Sequence, residues 1–186
     1  MNIESLIDRV RDHYVEQFSD FAVRQKEGAG RGAAEVKLQL GEASQLFGRM
    51  YCADFVKNDD ESRVVEFWPE HVLEFQQING SFGQTALTID YLRWDDILFI
   101  HDAEALPGDA LANWFRHWFD PDEERYDAKA ALSGIAHSMV VTAKQVSVDL
   151  GTAAPVAFWD MLQLIADAGA THVRISTSRI ENDPDQ

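Results

Sequence analysis

The chain has 186 residues, of which 46% are apolar and one is cysteine. That length and apolar content suit one globular domain whose core needs neither a disulfide nor a metal, so residues 1–177 are read as a single domain. The formal charge of −16, from 32 acidic against 16 basic residues, is not an acidic tail: the first 32 residues are nearly balanced and every later stretch is net negative. Such a field repels phosphate backbones and anionic lipid, which disfavours nucleic acid as a partner and points to a basic protein instead.

The N-terminus carries no basic leader and no apolar stretch of signal-peptide length. The longest uncharged run, Ala130 to Ala143 apart from neighbouring charges, is too short for a bilayer span and is broken by Ser133, Gly134, His137 and Ser138. A cytoplasmic chain with no membrane contact is expected. Cys52 lies in a strand-like run without a ligand companion and reads as a small buried hydrophobe. Neither a cofactor nor a metal site is expected.

In chain order, Ile3, Leu6, Ile7, Val10, Tyr14, Phe18 and Phe21 fall on one stripe at helical spacing, which predicts an amphipathic helix over 3–26. The glycines at 28, 30 and 32 follow a helix instead of preceding one, so they read as a connector and not as a phosphate loop. Residues 34–101 then alternate with period two and read as a hairpin-rich region. Its strands are 34–40, 49–57, 63–68, 72–78, 82–92 and 97–101, with a polar turn at 58–62 and a tight turn at Asn79-Gly80. A second helix over 109–119 places Leu111, Trp114, Phe115, Trp118 and Phe119 on one side and ends at Asp120-Pro121. The remainder is a strand–helix–strand unit over 138–177, with Pro155 at the start of its helix and Gly169 past its end. Residues 178–186 read as a frayed acidic tail.

These elements predict an α+β fold: a mostly antiparallel sheet of about seven to eight strands with three helices packed on it in two layers. Apolar residues occupy most of the circumference of the helix at 155–168, so either the first helix or a second subunit must cover it, which makes a homo-oligomer through 155–168 one expectation.

No Gly-x-Ser-x-Gly elbow and no paired-histidine zinc spacing is present, and the acidic loop at 120–127 lacks the central glycine and terminal glutamate of a calcium loop. His101 ends one buried strand and His137 begins another, so with Asp102 they are the candidate catalytic cluster, a carboxylate orienting an imidazole. Trp94, near a strand end between Arg93 and Asp95, is the candidate binding anchor. The leading functional expectation is a non-enzymatic protein-binding module such as an inhibitor, an immunity-type protein or an adaptor, whose acidic surface meets a basic partner. The alternative is an enzyme or small-ligand binder with a pocket near His101, Asp102 and His137.

Overall fold

The structure, a computed structural model, describes residues 2–29, 31–41, 45–58 and 62–179. Among them the elements run α1 (Ile3–Ala29), β1 (Gly32–Gln39), a 3-10 turn (Leu46–Gly48), β2 (Met50–Lys57), β3 (Arg63–Val65), β4 (Ile78–Phe82), β5 (Thr85–Ile89), β6 (Ile97–His101), α2 (Gly108–Phe119), β7 (Ser138–Val141), β8 (Gln145–Asp149), α3 (Val156–Asp167) and β9 (His172–Ser176). The fold is α+β, but with two sheets where the sequence suggests one. A three-stranded sheet has the order β1-β2-β3 and a six-stranded sheet the order β4-β5-β9-β6-β8-β7. All pairings are antiparallel except β5 with β9.

The extra strand comes from 138–148, which is not one strand but the hairpin β7–β8, closed by Thr142 N–H to the Gln145 carbonyl at 2.9 Å. β8 and β9 both run antiparallel to β6, which lies between them, so α3 connects two parallel strands of one sheet. The hairpin turn expected at Asn79-Gly80 lies at Gly83-Gln84 instead: Phe82 pairs with Thr85 and Asn79 with Thr88. Gly83, at φ +58°, supplies the left-handed residue that a two-residue turn requires. Gly80 is a glycine for another reason, since a Cβ there would come within 2.8 Å of Ile3 Cδ1 at the start of α1. The strand expected at 72–78 is absent before Ile78. The backbone of His71 turns instead to α1, where the Gln17 side chain donates to its carbonyl at 2.9 Å and accepts from its N–H at 3.0 Å. Residues 59–61 of the expected polar turn and 180–186 of the expected tail lie outside the described residues. Ser178 and Arg179 are not frayed, because Asp96 accepts from Ser178 and Asp95 pairs with Arg179.

The helical stripe of α1, Leu6, Ile7, Val10, Tyr14, Phe18 and Phe21, is buried in the core, with Tyr14, Phe18 and Phe21 against Phe67. The six-stranded sheet buries alternate residues on one face: Leu87 and Ile89 of β5, Ile97 and Phe99 of β6, Val146 and Val148 of β8, Val173 and Ile175 of β9. One hydrophobic cluster joins these to Trp114, Phe115 and Phe119 of α2 and to Phe158, Met161 and Ile165 of α3. Fully burying each such side chain contributes about 1.5–3 kcal/mol against the entropy of ordering it. α2 covers much of the α3 circumference: Trp114 Nε1 donates to the Ala157 carbonyl and Trp118 Nε1 to Asp160, while Phe82 of β4 stacks on Trp159. Among the described residues, no helix is long and apolar enough to cross a membrane.

Candidate functional site

Residues 135–137 run through the seam between the two sheets and are held from both sides. His137 N–H donates to the Asp149 carbonyl of β8 at 2.9 Å, and the His137 carbonyl accepts from Cys52 N–H of β2 at 2.7 Å. Ala136 N–H reaches the Trp118 carbonyl, and the Ile135 carbonyl accepts from Thr152 and Ala153. With its backbone fixed on two sheets and a helix, His137 has little freedom in where its ring goes.

The ring is 1% exposed. Nε2 lies 3.2 Å from Glu35 Oε1, and Nδ1 lies 3.1 Å from Asp54 Oδ1 and 3.9 Å from Asp149 Oδ2. Phe18 meets it edge-on at 5.6 Å. Gly151, at φ +49°, lies against it so closely that a Cβ would overlap the imidazole. Each acid is held in turn. Glu35 accepts from Ser133 N–H at 2.6 Å and from the Thr152 hydroxyl. Asp54 Oδ2 accepts from Phe67 N–H at 2.7 Å, and Asp149 Oδ1 from Gly151 N–H at 2.8 Å. Glu35 stands opposite Asp54 in the β1–β2 register, between the pairs Ala34–Phe55 and Val36–Ala53, and takes φ 53° in the left-handed region, which is uncommon for a residue with a Cβ.

Burial opposes a charge on the His137 ring, but the acids around it outweigh burial and hold its pKa well above the ordinary 6.5. Cys52 is near enough to matter, yet burial pushes its own thiol up to about 12, so it is neutral at pH 7 and the carboxylates remain as the cause. The balance favours the protonated ring. Glu35 also feels burial first, and the His137 and Thr152 hydrogen bonds turn the balance so that it stays below its usual range. Asp149 goes the other way: burial, with Asp54 and Asp95 adding repulsion, pushes it up to about 7 against the pull of His137.

Asp54, His137 and Asp149 line a cleft of about 460 Å³ together with Tyr14, Asp95, Asp96, Trp68 and Arg179. Asp95 is already satisfied by Arg93 at 3.1 Å and Arg179 at 2.8 Å. Trp68, 59% exposed, forms the lip with the Arg179 guanidinium 4.5 Å from its ring centroid. One donor atom each from Asp54, His137 and Asp149 lies within 4.8 Å of the others, a spacing that can hold a cation or relay a proton.

Of the residues singled out from the sequence, the structure places His137 in this site and the others elsewhere. His101 N–H bonds the Lys144 carbonyl while His137 N–H bonds that of Asp149, so the two histidines lie at opposite ends of β8, separated by about 16 Å along the strand at about 3.3 Å per residue. His101 is 5% exposed, and among the described residues neither ring nitrogen has a hydrogen-bond partner within reach. Burial, and then Lys144, pushes its pKa down. Asp102 orients no imidazole ring: it accepts from Thr171 N–H, the Thr171 hydroxyl and His172 N–H, which lowers its pKa to about 2. Trp94 is 1% exposed and cannot be a surface anchor; Trp68 is the bare tryptophan. Sequence reasoning missed Glu35, Asp54, Asp149 and Thr152. Asp54 left one signal, a lone acid inside the apolar run Tyr51 to Val56. No protein-family model, curated protein or solved structure matches the chain.

Proposed function

We propose that the chain is a small-ligand binder or enzyme whose pocket is the cleft over Asp54, His137 and Asp149. The observation that carries this reading is a 1% exposed imidazole bonded on both nitrogens by carboxylates and lining a cleft of about 460 Å³. A fold does not need such an arrangement. Buried ion pairs stabilise no better than well-packed apolar residues of the same size, and a left-handed glutamate costs about 1–3 kcal/mol more. Constellations of this kind gather where a ligand or reacting group has to be met. Ligand-observed NMR of a small-molecule library against the wild-type chain and Asp149→Asn tests the reading. Binders are expected that Asp149→Asn loses and His101→Leu keeps. A library whose binders ignore Asp149→Asn would remove it.

A second reading, a protein-binding module that receives a basic partner, is favoured by one specific observation. Trp68 and Val64, 59% and 45% exposed, lie at the lip of a cleft that also presents Glu66 and Asp54. An exposed aromatic beside carboxylates suits an arginine or lysine side chain. A low-salt pull-down with wild type and Trp68→Ala checks it, a partner being retained by the first and lost by the second.

A further inference from the structure

We infer that Asp54, His137 and Asp149 are the protein ligands of one first-row divalent transition ion such as zinc, with Glu35 as the positioning residue behind the imidazole. The inference rests on reading the cleft as a ligand site and names what occupies it. Each carboxylate has one oxygen tied to a backbone N–H and the other free to converge: Phe67 holds Asp54 Oδ2 and leaves Oδ1, while Gly151 holds Asp149 Oδ1 and leaves Oδ2. Those two free oxygens face His137 Nδ1 at 3.1 and 3.9 Å. Bound to an ion at about 2.0–2.2 Å, three such donors need shifts of only a few tenths of an ångström up to about one.

The far nitrogen gives an independent reason. A histidine that ligates through one nitrogen commonly donates its other N–H to a carboxylate, which fixes the tautomer and raises the basicity of the ligating atom. Glu35 stands in that position, 3.2 Å from Nε2, and is itself fixed by Ser133 and Thr152. Its left-handed backbone puts it there. When the ion binds, the Nδ1 proton and any proton carried by Asp149 leave to solvent, the Nδ1 lone pair goes to the metal, and the Nε2 proton stays on the hydrogen bond to Glu35. The two ligand carboxylates balance the dipositive charge.

The donor set selects the class of ion. One imidazole with two carboxylates suits zinc, manganese or iron(II), whereas calcium and magnesium favour oxygen ligands throughout. Asp95 does not compete as a fourth ligand, because Arg93 and Arg179 already occupy it. Three protein ligands with the remaining positions open to the cleft is the pattern of an ion that meets a substrate or water, not of one that only holds the fold.

The test is calorimetric titration of the chelator-stripped full chain with zinc chloride, repeated on Asp149→Asn, Glu35→Gln and His101→Leu. Wild type and His101→Leu are expected to take one ion per chain. Glu35→Gln is expected to bind about 10–100-fold more weakly, and Asp149→Asn at least as much more weakly. Cobalt(II) titration of the wild type gives a readout that needs no variant: a visible absorption band at one equivalent and a paramagnetically shifted, exchangeable N–H signal from His137. No saturable uptake by the wild type, or uptake that both variants leave within twofold, overturns the inference. If small molecules bind the stripped chain and are lost in Asp149→Asn while zinc is not taken up, the ligand cleft stands and the metal falls.

Discussion

His137 and His101 are both buried, at the two ends of β8, and their surroundings shift their protonation in opposite directions. Glu35 and Asp54 bond both nitrogens of His137, and Asp149 lies just beyond, so its protonated form is favoured. Among the described residues neither nitrogen of His101 has a hydrogen-bond partner within reach, and burial with the nearby Lys144 favours its neutral form. Burial alone does not decide the charge of an imidazole; what its two nitrogens meet decides it.

The largest effect that can break this comparison is replacement of each ring by leucine. His137→Leu leaves Glu35 and Asp54 facing hydrocarbon and is expected to cost about 3–5 kcal/mol in denaturant unfolding. His101→Leu removes a buried group whose hydrogen bonds are unmade and is expected to be neutral or to stabilise by about 1 kcal/mol. Equal losses from both would mean that the carboxylates do not distinguish them. Gly151→Ala comes next, since the new Cβ would overlap the His137 ring at a backbone angle that disfavours side chains. About 2 kcal/mol or more, with a shifted His137 ring resonance, is expected.

The pH dependence sharpens the contrast because the signs differ. The pKa of His137 is raised in the folded state, so its contribution is fully present below 6.5 and is lost as pH climbs through the raised value. The pKa of His101 is lowered, so its contribution is present above 6.5 and is lost as pH falls toward the lowered value. Melting curves should therefore lose their acid-side slope just below pH 6.5 in His101→Leu and keep it in wild type. Asp149 is raised from 3.8 to about 7, so it favours the folded state fully below 3.8 and ceases to do so as pH rises through 7. Asp149→Asn should accordingly melt higher than wild type at pH 8 while losing ligands. A lower melting temperature there would contradict the account of Asp149. The smallest effect is at the lip, where Trp68→Ala should change stability by less than about 1 kcal/mol, the size of an exposed cation–π contact, and be felt only in binding.

What could be read from the sequence is what local spacing encodes. The α1 stripe from Leu6 to Phe21 is buried as its period predicts, and α2 and α3 begin and end within a few residues of the proline, aspartate and glycine signals around them. The 79–84 hairpin was legible as a hairpin but not in its register. Asn79-Gly80 and Gly83-Gln84 both satisfy a two-residue turn, and the contact of Gly80 with Ile3, from a helix 77 positions earlier in the chain, is not a local property. The site is still less local. Glu35 is 102 residues from His137, and Asp54 is 83. Their meeting depends on how β1 and β2 dock beside β7 and β8, and a lone acid in a strand carries no sign of which histidine it will face. The split into two sheets was invisible for the same reason.

The most direct test of the central contrast is nitrogen-15 NMR of the histidine rings at pH 7.5, before and after one equivalent of zinc. Before zinc, His137 should show two protonated nitrogens with hydrogen-bonded N–H signals, and His101 a neutral ring. After zinc, His137 Nδ1 should move to a ligated position while Nε2 keeps its proton and His101 does not change. A neutral His137 before zinc would contradict the claim that Glu35 and Asp54 hold it charged, and a His137 ring that ignores zinc would contradict the metal site.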